Sequence, residues 1–178
     1  MPSSVAPKAD FMIFREGVEP IWEDQANEAG GCWKVILDKK SCKKNKIDRR
    51  FIDRIWLESI LMVIGEQFYC DVNNKKQRKQ LTMNQQSQEK TNVSTNINGV
   101  YLQRRQKEDR LSLWTSIGSE ATIENNIVDE LALKSIGTTF KEIVKVTTNT
   151  PINFSAHEDQ NNNKGKSLKY RQVVRYMV

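Results

Sequence analysis

The sequence is poor in the residues that build metal centres and covalent staples. Its 178 residues include a single histidine, His157, which excludes a histidine-rich metal site. The three cysteines are Cys32, Cys42 and Cys70, and no C-x-x-C spacing occurs. An odd count without that spacing argues against a disulfide framework and against a zinc site, and it suits a reducing compartment. No apolar run approaches the roughly 18 residues of a membrane-spanning helix. The opening stretch MPSSVAPKAD has no apolar segment of the kind that marks secretion. The expected location is the cytoplasm, or also the nucleus. There is no glycine-rich phosphate loop, no activated-nucleophile pattern and no metal cluster, so catalysis is disfavoured and no cofactor is expected.

Hydrophobic residues make up 38% of the chain, and the mean hydropathy is −0.65. A core then requires the polar residues to be gathered into loops. The length fits one domain spanning 1–178. The formal net charge is +6. Such a balance favours a polyanionic partner, nucleic acid first, but it fits equally a soluble domain that happens to be basic.

Residues Asp10 to Phe14 read as a short strand. A loop punctuated by Gly17 and Pro20 runs through Ile21-Trp22-Glu23-Asp24 to the Gly30-Gly31 pair. CWKVILD, at 32–38, is a second strand, and KKSCKKNK reads as a basic loop. A helix follows, with Asn45 as its N-cap, Asp48 three residues on and Gly65 at its end. At 100° per residue, Ile52, Ile55, Trp56, Ser59, Met62 and Val63 share the core face. Leu57, Leu61 and Ile64 fall opposite, beside Arg50, Arg54 and Glu58. A helix with two apolar stripes needs a second partner, another layer of the domain or another protein.

Residues 72–98 are polar throughout and read as a disordered insertion. GVYLQRR and RLSLWTS, separated by Gln106-Lys107-Glu108-Asp109, form a hairpin. Alternation puts Tyr101, Gln103 and Arg105 on one face of its first strand. Arg110, Ser112 and Trp114 share a face of the second, with Arg105 and Arg110 expected opposite each other. A weaker helical pattern covers 126–146, with Ile136, Phe140 and Ile143-Val144 as its last stripe. A short strand at 151–154, a polar loop from His157 to Lys169 and a last strand at 173–177 complete the chain. Strands interleaved with two long helices predict an α+β fold, a curved antiparallel sheet with helices on one, dorsal, face.

Two constellations carry chemistry. Like charges opposite one another in a hairpin are destabilising. The arginine pair either splays into water or holds an anion between planar forks suited to phosphate. Trp114 on the same face would set an aromatic beside that anion, a combination found in nucleotide sites. Trp22-Glu23 is the second. A loop Trp either folds into a core or offers a stacking plate. A neighbouring carboxylate can read the N1–H and N2 amino group of guanine, and a methylated, cationic guanine would strengthen both contacts.

The segments MIFREGVEPIWEDQANEAGGCWKVIL, DRIWLESILMVIGEQF, GVYLQRRQKEDRLSLWT, SIGTTFKEIVKV and FSAHEDQ resemble translation initiation factor 4E, in the family's order. EPIWED, GG-x-W, WLE-x-x-L-x-x-IGE and the LWT strand carry the resemblance. It implies binding of the 7-methylguanosine cap of mRNA. Trp22 then resembles one of two tryptophans that sandwich the base, Glu23 the carboxylate that reads its edge, and Trp114 the tryptophan near the N7-methyl group. Arg105 and Arg110 match the basic pair on the triphosphate. Leu57, Glu58 and Leu61 match the dorsal helix face that docks scaffold protein 4G and the 4E-binding repressors, by an amphipathic helix.

The departures are specific. The family's N-terminal segment, with its first strands, its other sandwich tryptophan and a dorsal tryptophan, precedes the point where this sequence starts. The expected sheet therefore lacks its first strands. Cys32 stands where a basic residue often precedes the Trp of GG-x-W, which removes one phosphate contact. Lys166, beside Ser167, stands near the family's regulatory phosphoserine. The competing reading is a truncated interaction module that sequesters scaffold or repressor through its dorsal helix, and a third is an incomplete gene product.

Overall fold

The computed structural model describes residues 1–45, 47–48, 50–71, 90–118, 127–145 and 151–157. Its main sheet grows from alternation. In β2 (Gly31–Asp38), Trp33, Val35 and Leu37 face inward, while Lys34 and Ile36 face out. β5 (Ile97–Arg104) does the same with Val100 and Leu102, and β6 (Glu108–Thr115) with Leu111 and Leu113. With β1 (Asp10–Phe14) and β7 (Ile152–Ala156) they form a five-stranded antiparallel sheet in the order β1-β5-β6-β2-β7. A separate two-stranded ribbon pairs β3 (Tyr69–Asp71) with β4 (Lys90–Asn92).

The inward face carries the helices. α3 (Phe51–Ile64) contributes Ile52, Ile55 and Trp56, and α4 (Ile127–Ile143) contributes Leu133, Ile136 and Phe140. Burying one such side chain is worth about 1.5–3 kcal/mol. Trp33 is fully buried and packs on Phe154 with ring centroids 5.2 Å apart. α4 sits so close to Trp33 that a Cβ on Gly137 would fall 2.5 Å from its ring. The fold is the expected α+β arrangement, a curved antiparallel sheet with helices on one face.

Four local expectations need correction. KKSCKKNK is not a loop: Lys39–Lys44 is a short helix, α2, because Asp38 caps it, accepting from the Ser41 amide at 2.8 Å. Asn45 is the C-cap of α2 rather than the N-cap of α3. α3 starts later, where the Asp48 carboxylate accepts from the Arg50 amide at 2.9 Å. The polar insertion is shorter than 72–98. β4, a 3-10 turn at Ser94–Asn96 and the start of β5 fall inside that range. Val93 and Ile97 enter the core, and the Ser94 hydroxyl accepts from the Phe68 amide at 3.1 Å. The remaining insertion residues, 72–89, and the strand expected at 173–177 lie outside the described residues, as do 158–169 of the polar loop.

The fourth correction concerns the hairpin. Arg104 pairs with Asp109, and the Arg105 amide donates to Glu108 O at 3.1 Å, so the turn is Gln106-Lys107 alone. With the shorter turn, Arg110 stands opposite Gln103, and Arg105 is offset from Arg110 by one rung on the same face.

Candidate functional site

The face turned away from α3 and α4 is laid out by strand register. On β6, Arg110, Ser112 and Trp114 point to it, and from β5 come Tyr101 and Gln103. On β2, Cys32 lies opposite Trp114, Lys34 opposite Ser112 and Ile36 opposite Arg110. Ser112 is only 4% exposed, because Tyr101 and Lys34 flank it on either side. Arg105 continues the row at the hairpin end.

Trp114 sits among aromatic neighbours. Its ring meets Phe14 edge-on, with centroids 5.4 Å apart, Tyr101 at 6.5 Å and His157 at 4.5 Å. It is half-buried, so part of its surface stays open. At the other end both arginines hold carboxylates. Arg105 reaches Asp10 at 2.6 Å, and Asp10 raises the guanidinium pKa. Arg110 Nε donates to Glu108 at 2.6 Å. These carboxylates relieve the like-charge cost of two neighbouring guanidinium groups.

Trp22 and Glu23 occupy the turn before α1 (Gln25–Glu28); Trp22 is half-buried and Glu23 exposed. Asp24 organises the turn: one carboxylate oxygen accepts from the Ala26 amide at 2.8 Å, the other from the Glu19 amide at 2.9 Å. Beneath it lies Asn27, fully buried, whose Nδ2 donates to Glu19 O and Ile21 O, both at 2.8 Å. Asn98 Nδ2, on β5, donates to Asn27 Oδ1 at 2.9 Å and to Ala26 O at 2.6 Å. Asn27 O lies 2.9 Å from His157 Nδ1, and the His157 amide donates to Gly30 O at 3.0 Å. Because a carbonyl can only accept, Nδ1 carries the proton. Burial pushes the imidazole pKa below its ordinary value, and the charge on Lys34 lowers it further. The Trp22–Glu23 turn is thereby tied to the Trp114 ring through Asn27 and His157.

Gly30-Gly31 makes this junction possible. A Cβ on Gly30 would fall 1.8 Å from Thr115 O, and one on Gly31 2.4 Å from the Phe154 ring. The pair, which the sequence places at the end of the loop, is required by close approach. Asn27, Asn98 and His157 escaped the sequence reading. Nothing marks a loop asparagine as buried, although the chain's only histidine, inside FSAHEDQ, was a signal.

The residues expected to dock a partner lie on the far side of the molecule. Leu57 is 45% exposed, Leu61 59% and Ile64 68%, an apolar stripe along the outer face of α3. Glu58 borders it, bound by Arg54 at 2.9 Å. The opposite face of that helix is the core stripe, as its periodicity predicts.

Among the described residues no helix is long and apolar enough to cross a membrane. The family model for eukaryotic initiation factor 4E matches residues 1–172. Bovine (Bos taurus) eukaryotic translation initiation factor 4E is 28% identical over 174 residues, 98% of this chain and 63% of its own length. Eukaryotic translation initiation factor isoform 4E of Prunus domestica is 32% identical over 169 residues, 95% of this chain and 59% of its own. The chain therefore spans about three fifths of these curated relatives. Ascaris suum eIF4E-3, solved in complex with an m2,2,7G cap, superposes with a TM-score of 0.63 at 26% identity, covering 97% of this chain and 72% of that one. With the helix-backed sheet and the tryptophan–arginine face in place, the match across nearly its whole length means that this chain belongs to the eukaryotic initiation factor 4E family.

Proposed function

We propose that this chain binds the 7-methylguanosine cap of mRNA on the helix-free face, as a non-catalytic factor in translation initiation in the cytoplasm or nucleus. The observation that supports it best is the common face of Arg105, Arg110 and Trp114, tied through Asn27 and His157 to the Trp22–Glu23 turn. A cationic base would stack on Trp22 with Glu23 on its edge, its methyl group near Trp114 and its phosphates at Arg105 and Arg110. Stacking and charge make this a binding site, not a reaction centre.

The test is a fluorescence titration of the chain with 7-methyl-GTP at several salt concentrations. Arg105→Ala and Arg110→Ala should each weaken binding and lower the salt slope by roughly one. Trp22→Ala should cost about 1–3 kcal/mol. Unchanged affinity in all three sinks the assignment.

A second reading rests on the Leu57–Leu61–Ile64 stripe. There the chain would dock the amphipathic helix of a 4G scaffold or a 4E-binding repressor, through Leu57, Glu58 and Leu61. Both faces can work in one molecule. Peptide binding without any 7-methyl-GTP binding would favour the sequestering module alone.

A further inference from the structure

We propose that Lys34 is a phosphate-contacting residue of the helix-free face, supplying there the cation that Cys32 does not. The proposal rests on the cap-binding reading and adds a residue to it.

Register places Lys34 first. It stands on β2 opposite Ser112, which lies between Arg110 and Trp114 on β6. Directly opposed side chains have Cβ atoms about 4.5–5.5 Å apart, and diagonal ones about 7–8 Å. The flexible stem of Lys34 can therefore carry its ammonium group anywhere along the line from the Trp114 ring to the Arg110 guanidinium.

Charge balance comes second. Arg105 and Arg110 each hold a carboxylate, and so do Lys39, Arg104 and Arg54. Lys34 is half-buried on an interior strand, and among the described residues it makes no ion pair and no side-chain hydrogen bond. A lysine on a sheet face lays its stem along the surface and keeps its head free to meet an arriving counter-charge. A polyphosphate running from Trp114 toward Arg105 would bring one. The electrostatics agree: burial raises the Cys32 thiol pKa and lowers that of His157, and on both groups the Lys34 charge acts in the lowering direction, so its field reaches both neighbours on this face. A compact ammonium on a long stem suits a phosphate as a point charge, whereas the two arginines suit bidentate contact.

The experiment uses the full chain and titrates Lys34→Gln, Lys34→Met and Lys34→Arg with 7-methylguanosine and with 7-methyl-GTP across a range of salt. The expected result is a five- to tenfold loss of triphosphate affinity in Gln and Met, a salt slope lower by roughly one, and unchanged nucleoside affinity. Arg should keep both affinity and slope. Equal losses for nucleoside and triphosphate would make Lys34 merely structural and overturn the proposal. Unchanged or tighter triphosphate binding would overturn it too, tighter binding meaning that the ammonium faces the cationic base. If the unsubstituted chain binds neither ligand, the cap-binding reading fails and takes Lys34 with it. Binding by the unsubstituted chain with no effect of Lys34 removes only the proposal.

Discussion

Asn27→Ala removes the peg on which the Trp22–Glu23 turn hangs. The side chain makes three hydrogen bonds, to Glu19 O, Ile21 O and Asn98 Nδ2, and it is fully buried. A buried hydrogen bond is worth about 1 kcal/mol net, so three give about 3 kcal/mol. Two carbonyls would be left without their donor. At a urea m-value of about 1–3 kcal/mol per molar, the unfolding midpoint should fall by about 1–3 M. A loosened turn should also lose what Trp22 contributes to stacking, about 1–3 kcal/mol, or roughly ten- to a hundredfold in affinity for 7-methyl-GTP. Asn27→Asp is the sharper probe. It keeps the acceptor for Asn98 but aims a carboxylate oxygen at two carbonyls, so at pH 7 it should be at least as damaging as alanine. Urea unfolding followed by tryptophan fluorescence and circular dichroism, with a ligand titration on each variant, gives both numbers. If Asn27→Ala leaves midpoint and affinity unchanged, the turn is held by something else and the reasoning fails.

Three further outcomes are expected. Glu108→Gln should release Arg110 and tighten 7-methyl-GTP binding by at most about fivefold, since an exposed ion pair is worth about 0–1 kcal/mol; weaker binding would mean that Glu108 positions the guanidinium instead of competing for it. Leu57→Asp with Leu61→Asp should abolish docking of a scaffold-derived amphipathic peptide and leave the thermal melt nearly in place, since both side chains are exposed; a lost melt would assign the leucines to the core. Burial holds the His157 pKa below its ordinary value, so the unfolded chain takes up a proton below about pH 6.5 that the folded chain refuses. Its contribution is complete above that pH and falls on acidification, by up to about 1.4 kcal/mol per pH unit, until the folded pKa is reached; urea midpoints at pH 7.5, 6.5 and 5.5 should show that slope reduced in His157→Gln, and an identical slope would rule His157 out as its source.

The layered fold was legible because the apolar residues keep strict periods. Trp33, Val35 and Leu37 repeat every second residue, and Ile52, Ile55, Trp56 and Ser59 trace one helical face. The outer stripe of α3 could be read the same way, because a face is fixed by angle alone. Periodicity also put Arg105, Arg110 and Trp114 on one side, but it could not set the register. The turn decides that, and QKED reads as four loop residues until Glu108 is seen pairing with Arg105. Short elements failed for a related reason. α2 depends on a single Asp38 cap, and the 3-10 turn before β5 depends on Ser94 reaching Phe68, contacts between side chain and backbone that leave no periodic trace. The Asn27 clamp was invisible because its partners lie 71 and 130 positions away, on Asn98 and His157.

Arg104 and Arg105 are chemically the same residue, yet they do opposite work. Arg104 is 4% exposed and points to the helix side, where it meets Asp109 and the carbonyl of Val5, while Arg105 points to the open face. The strand acts as a parity counter: unless a bulge absorbs it, as one does between Ile97 and Gly99, adding or removing one residue within the hairpin's strands moves every later side chain to the wrong side of the sheet. Such a change on β6 would bury Arg110 and Trp114 and expose Leu111 and Leu113. The β3–β4 ribbon stands outside that count, since it pairs with no strand of the main sheet. In the sequence the long polar insertion falls between those two ribbon strands, where a change of length leaves the face that carries Trp114 uninverted. Lineages of this protein should therefore differ freely in length there and hardly at all between Gly99 and Thr115.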